Sequence, residues 1–283
     1  MIPKTIKGKI VDMLSIHHNN KVTNFDYNNI SGGCINNSIV INTNLGRYFV
    51  KWNNDTEKSF FSKELKGLKL ISQTNTISVP SIIGCDDEFL MLDFIESNNK
   101  DNNFWHDFGR DLSLLHKSSS KSFGLDYDNY IGTLPQCNQR ELKWSEFFIS
   151  QRLTPQMRMG SFSSQIVKSF DRIFIKIETL FPEESPSLLH GDLWSGNFLV
   201  SNSHPILIDP AVYYGFREMD LAMTRLFGGF DDAFYDAYHE SFPLKKGWED
   251  RVDICNLYPL LVHANLFGGR YYSQIENILD RFN

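Results

Sequence analysis

Residues 188–200 read LLHGDLWSGNFLV. An apolar pair, Leu188 and Leu189, runs into His190, Gly191 and Asp192. Asn197 follows Asp192 by five positions, and the chain turns apolar again at Phe198. A short loop anchored between two buried segments can aim a carboxylate and a carboxamide into one cleft. Gly191 and Gly196 give such a loop the sharp backbone it needs. The same residues would also suit a polar turn closed by an Asx-type hydrogen bond.

Seventeen residues after Asp192, the apolar run PILIDPA (205–211) ends in Asp209. A carboxylate at the end of a buried strand is costly unless something compensates it. A helix or turn cap would do so. So would a magnesium ion, which takes oxygen ligands and uses one or two carboxylates alongside substrate phosphates. Asn197 and Asp209 are the candidate magnesium ligands, and Asp192 is the candidate acceptor of a hydroxyl proton. Phosphoryl transfer from ATP asks a protein for these parts, because it depends on positioning and charge neutralisation more than on covalent help.

The N-terminal third supplies a matching set. SIVIN and RYFVKW are β-rich, and NTNLG between them provides turn residues, so an antiparallel hairpin is expected over about 28–52. SGGCINNS (31–38) sits at its entrance. Gly32 and Gly33 would let backbone N–H groups approach a phosphate, although the stretch is neither GxGxxG nor a Walker loop and also fits a plain turn. Lys51, inside the apolar second strand, either snorkels to an edge or contacts the α- and β-phosphates. Residues 56–73 read as one helix with Thr56 as N-cap; Phe61, Leu65, Leu68 and Ile71 recur at threes and fours. Glu64 lies near that inner face and can pair with Lys51, as a strand lysine pairs with a helix acid in the kinase pattern. FLMLDFI (89–95) reads as a strand entering a hinge, where the backbone of Asp93, Phe94 and Ile95 would hydrogen-bond adenine.

Beyond residue 96 the pattern is mainly helical: 104–118, 144–159, 163–180, 218–241, 248–267 and 271–282, interrupted by strand–turn–strand at 188–212. The expected class is α+β, in two lobes. Residues 1–96 form a small antiparallel-sheet nucleotide lobe, and residues 97–283 a larger, mainly helical catalytic and substrate lobe. The chain has 283 residues, 41% of them hydrophobic, and a formal net charge of −6 without a basic block, which argues against nucleic-acid binding. No apolar run reaches the roughly 20 residues of a membrane span, and the start lacks a signal-peptide layout. The four cysteines form no CxxC pair. These features point to a cytoplasmic protein with reduced thiols. Cys34, within the glycine stretch, is either a small residue that fits or a redox-sensitive thiol.

HGDLWSGN, DPAVYYGFREMDLAM, FGGF, LYPLLVHANLFGGRY, DNYIGTLPQ and WSEFFISQRLTPQ together resemble the fructosamine kinase (ketosamine-3-kinase) family. The resemblance implies a protein-kinase-like fold and transfer of the ATP γ-phosphate, with magnesium, to the 3-hydroxyl of a ketosamine on a small amine or a protein lysine. The phosphorylated adduct is labile, so the implied activity is deglycating repair. By position it implies Asp192 as catalytic base, Asn197 and Asp209 as metal ligands, and Lys51 with Glu64 as the phosphate-positioning pair. Trp194 resembles a sugar-facing aromatic, or else packs locally. Phe216 departs from the family pattern, where His is common, and bears on the polarity of the substrate side. Alternatives are an aminoglycoside- or choline-kinase-type enzyme and a non-catalytic pseudokinase. The expected assembly is a monomer or weak homodimer.

Overall fold

The computed structural model describes residues 2–30 and 36–282; Gly32, Gly33 and Cys34 lie outside the described residues. The N-terminal part is a five-stranded antiparallel sheet in the order β1-β2-β3-β5-β4, made of β1 (Phe25–Asn29), β2 (Asn37–Thr43), β3 (Gly46–Trp52), β4 (Ile82–Cys85) and β5 (Phe89–Asp93). Strand alternation assigns its two faces. Ile39, Ile41, Val50, Phe89 and Met91 pack under α1 (Lys4–His17), which contributes Ile6, Ile10 and Leu14. Leu90 and Leu92, of opposite parity, pack with Phe60, Phe61 and Leu68 of α2 (Phe60–Ser72). Lys51 lies between Val50 and Trp52 and pairs in register with Leu90, so its parity sends it to the α2 face.

The rest is mainly helical. After α3 (Phe104–His116) come the short hairpin β6 (Asn129–Ile131) and β7 (Leu134–Gln136), then α4 (Trp144–Phe147), a π-helical turn Phe148–Leu153, α5 (Thr154–Met159) and α6 (Ser164–Leu180). Four short strands follow: β8 (Ser187–Leu189), β9 (Phe198–Ser201), β10 (His204–Leu207) and β11 (Tyr213–Gly215). The chain closes with α7 (Glu218–Phe227), α8 (Asp232–Ser241), α9 (Trp248–Phe267) and α10 (Arg270–Arg281). The α+β, two-lobed arrangement expected from the sequence is present.

Two pairings position the chemistry. β9 pairs with β10, Phe198 opposite Leu207, around a turn in which Asn202 and Ser203 both have positive φ, as a two-residue hairpin loop favours. This sets Asn197 and Asp209 at the same end of the hairpin. β8 pairs with β11, Leu189 opposite Tyr213, which lays the loop after Leu189 beside the segment before Tyr213.

Several expected boundaries shift. Helix α2 starts at Phe60 rather than near Thr56, and its N-cap Ser59 makes no side-chain cap bond. The expected helix 218–241 is broken at Gly228 and Gly229, whose φ values of 71° and 89° a right-handed helix excludes. Strand β1 is not visible as a pattern, because FDYNN has no buried residue and is held by ladder bonds to β2. The helix 144–159 contains the π-helical turn, which carries the fully buried Arg152 inward to the Cys137 carbonyl (2.5 Å) and Asn138 Oδ1 (2.7 Å).

Candidate active site

Lys51 is the meeting point of the two lobes. Its Nζ lies 2.5 Å from Glu64 Oε1 of α2 and 2.6 Å from Asp209 Oδ1, across 158 residues of sequence. The lysine side chain is 5% exposed and Glu64 12%, whereas Asp209 is 49% exposed and open to the cleft. Burial alone would lower the lysine pKa. The Asp209 and Glu64 carboxylates outweigh it and hold the ammonium charged. For Glu64, burial pushes the pKa upward and the Lys51 ammonium opposes it.

Asp209 has φ of 54°, a left-handed backbone that Asp tolerates better than most residues. The backbone is fixed on both sides of it. Ile208 donates its N–H to the Asn197 carbonyl (3.0 Å), and Ala211 donates to the His190 carbonyl (2.9 Å).

In the loop after β8, Asn197 Nδ2 donates to both the carbonyl (2.8 Å) and Oδ2 (2.9 Å) of Asp192. The Asp192 carboxyl is partly accessible but enclosed by protein. Burial raises its pKa to about 7; the Asn197 bond opposes the rise, and Asp209 and Asp220 add to it. His190 is fully buried and serves the loop, not the cleft. Its Nε2 donates to the Ile208 carbonyl (2.9 Å) and its Nδ1 accepts from the Asp192 N–H (3.2 Å). Both bonds fit a neutral ring, and burial lowers its pKa accordingly. Gly191 has φ of 83°, and a Cβ there would stand 2.1 Å from the Ala211 carbonyl oxygen.

Asp220, at the start of α7, was not singled out by sequence. It is 1% exposed and accepts the N–H groups of His190 (2.7 Å) and Gly191 (2.9 Å), with His116 Nε2 at 3.1 Å. The other His116 nitrogen contacts the Tyr238 hydroxyl at 2.8 Å. Two buried ion pairs hold that end of α7. Arg217 is bidentate to Glu184 (2.8 and 2.8 Å), and Arg251 to Glu218 (2.7 and 2.6 Å). The available signal was a pair of acids, Glu218 and Asp220, in an otherwise apolar helix start.

Trp194 is 39% exposed, with its ring 6.1 Å from that of Phe227. Phe227 lies 4.9 Å from the His263 ring, which neighbours Tyr271 at 5.1 Å and Phe267 at 5.7 Å. These rings form one file leading away from the Asp192 loop. Phe216 is fully buried against Trp144 (5.9 Å) and Phe181 (5.1 Å), so it belongs to the C-terminal core and does not set the polarity of the substrate side. At the expected hinge, Asp93 and Phe94 donate their N–H groups to the carbonyls of Ser81 (2.9 Å) and Arg47 (3.2 Å). The Ile95 amide has no such partner among the described residues.

The donor set suits a hard cation. With its Nδ2 committed to Asp192, the oxygen of Asn197 is the end left to ligate, and one oxygen of the half-exposed Asp209 faces Lys51. Two protein oxygens completed by phosphate oxygens and water is a usual complement for magnesium. No group of three His, Cys, Asp or Glu side chains able to hold a metal occurs among the described residues, and the Asn197–Asp209 pair does not require one.

Known proteins resemble this chain along most of its length. A family model described as fructosamine kinase matches residues 6–283. The chain is 38% identical over 265 residues to an Enterococcus faecium protein named "Probable ketoamine kinase", covering 89% of this chain and 94% of that one. It is 35% identical over 266 residues to the chloroplastic protein-ribulosamine 3-kinase of Arabidopsis thaliana, covering 89% and 81%. A crystal structure from Thermobifida fusca, named "putative fructosamine-3-kinase", superposes with a TM-score of 0.88 at 30% identity over 96% of this chain and 98% of that one. The aminoglycoside phosphotransferase APH(4)-Ia, at 14% identity and a TM-score of 0.64 over 97% of each chain, shares the kinase-like fold. The chain belongs to the fructosamine kinase family and is a phosphotransferase that acts on a hydroxyl group.

Proposed function

We propose that this protein is an ATP- and magnesium-dependent ketosamine 3-kinase, with a nucleotide lobe of residues 1–96 and a catalytic and substrate lobe of residues 97–283. The observation that carries the reading is a pair of constellations that meet at one end of the β9–β10 hairpin, which is flanked by Asn197 and Asp209. Lys51 is held by Glu64 and Asp209, and Asp192 is held by Asn197 with its pKa raised to about 7. A carboxylate of that basicity is matched to accept a proton from a sugar hydroxyl near neutral pH.

In this reading Lys51 binds the α- and β-phosphates, with Glu64 keeping it aimed into the cleft. Gly32 and Gly33 cradle the phosphates, and the backbone from Asp93 to Ile95 meets adenine. Asn197 and Asp209 would hold the magnesium ion, which when bound neutralises charge on the transferring phosphoryl group. Asp192 takes the proton of the acceptor hydroxyl, and Trp194 flanks the sugar. Likeness to a protein-ribulosamine 3-kinase supports ribulosamine or erythrulosamine adducts ahead of fructosamines, on free amines or protein lysines, with deglycation as the outcome. The three described cysteines are free thiols, in keeping with a cytoplasmic setting. No helix among the described residues is long and apolar enough to cross a membrane.

The test is ATP turnover with ribulosamine and fructosamine adducts of one lysine derivative, with kanamycin and choline as controls. Turnover of a ketosamine to its 3-phosphate is expected. Turnover of kanamycin or choline alone would make it a kinase of those acceptors, and no turnover of any would leave a non-catalytic binding module.

A further inference from the structure

We propose that the β6–β7 hairpin is a clasp that fixes both carboxylates at Lys51, with Asn129 and Gln136 as positioning residues for phosphoryl transfer. This rests on the roles given above to Asp209 and Glu64. The hairpin turns at Gly132, φ 58°, and pairs Asn129 with Gln136. One side grips the segment after Asp209. Asn129 Nδ2 donates to the Val212 carbonyl (2.9 Å), and Gln136 Nε2 donates to the Ala211 carbonyl (3.0 Å) and to Asn129 Oδ1 (2.8 Å). Asn138 Nδ2 donates to the same Asn129 oxygen (2.7 Å), and the Tyr258 hydroxyl donates to Gln136 Oε1 (2.7 Å).

All three carboxamides are at most 5% exposed. Buried amides are costly unless bonded; here the side-chain bonds among Asn129, Gln136, Asn138 and Tyr258 hold in place the two that fix the Ala211 and Val212 carbonyls.

The outer side grips α2. The Tyr130 hydroxyl donates to Glu57 Oε2 (2.7 Å), and its ring lies 4.9 Å from that of Phe60, one turn before Glu64. Helix α2 also rests on the gripped segment itself. A Cβ at Gly67 would stand 3.2 Å from Val212 and 3.6 Å from Pro210. One hairpin thus ties the Asp209 turn to the helix of Glu64.

The experiment compares Gln136→Met, Asn129→Ala and Tyr130→Phe with wild type for kcat, KM of each substrate, and the magnesium concentration giving half-maximal rate. Asp209→Asn and Glu64→Gln serve as references, and melting temperature as the folding control. Gln136→Met and Asn129→Ala are expected to lower kcat roughly tenfold to a hundredfold, the cost of a misplacement near 1 Å. Their magnesium requirement should rise, excess magnesium should restore part of the rate, and the acceptor KM should stay unchanged. Tyr130→Phe, which keeps the ring contact with Phe60, should lower kcat about threefold, the loss of a fraction of one hydrogen bond.

Wild-type kcat and magnesium dependence in folded clasp variants would overturn the proposal while the reference variants are impaired. Wild-type turnover in Asp209→Asn and Glu64→Gln would instead overturn the roles on which it rests. Should the buried variants not fold, the Tyr130→Phe result decides.

Discussion

Asn197 reaches back five residues and gives both protons of its amide group to Asp192, one to the carbonyl and one to the carboxylate. The side chain read as a metal ligand therefore also orients the side chain read as the base. Asp192→Ala is expected to lower kcat by roughly 10²–10⁴-fold, with ATP binding retained in a fluorescent-nucleotide titration. An unchanged kcat would rule out Asp192 as proton acceptor.

The raised Asp192 pKa gives a signed pH dependence. Burial pushes it to about 7, so the base is protonated below that value and kcat/KM should fall about tenfold per pH unit on the acid side. The same shift acts on stability. The folded state holds this proton more tightly than the unfolded chain, so stability declines as pH rises from the ordinary Asp range through about 7. Asp192→Asn should therefore melt higher than wild type at pH 8, with the difference closing towards pH 4. A constant or inverted difference in a pH series of melting curves would contradict the shift.

Asp220→Ala strips the partner from two backbone N–H groups and from His116, all inside the core. A destabilisation of at least roughly 3 kcal/mol follows from the unsatisfied donors alone, readable in urea unfolding. Asp220→Asn restores one acceptor oxygen but sets its NH2 against the remaining N–H donor, so it should recover only part of the loss.

Gly196 is small because Trp194 needs the room: a Cβ there would stand 2.3 Å from the indole. Gly196→Ala should swing the ring away and raise the acceptor KM about tenfold with the KM for ATP unchanged, in keeping with one lost aromatic contact. Equal changes in both constants would argue that Trp194 only packs locally.

What was legible in the sequence is what polar chemistry leaves in apolar surroundings. Lys51 in a strand, Glu64 beside an apolar helix face, and Asp192, Asn197 and Asp209 at strand ends stand out because burial without purpose is costly, and the structure bonds Lys51 to Glu64 and Asp209, and Asn197 to Asp192. Asp220, Asn129 and Gln136 were not legible as site elements. They act on backbone groups brought near only by tertiary pairing, and nothing local distinguishes such an amide from a turn former. The same limit hid β1, which is held by its neighbour's ladder, and the split at Gly228, where a good helical period ran across a backbone reversal.

The contact between Gly191 and the Ala211 carbonyl has a practical consequence for redesign. The two turns bearing Asp192 and Asp209 stand one peptide thickness apart, and position 191 is closed to any side chain both by the sign of its torsion and by the lack of an atom's width beside it. Libraries meant to retarget the enzyme to other acceptors gain nothing from sampling that seam. Under the role proposed above for Trp194, their diversity belongs along the ring file that starts there, where the first ring is 39% exposed.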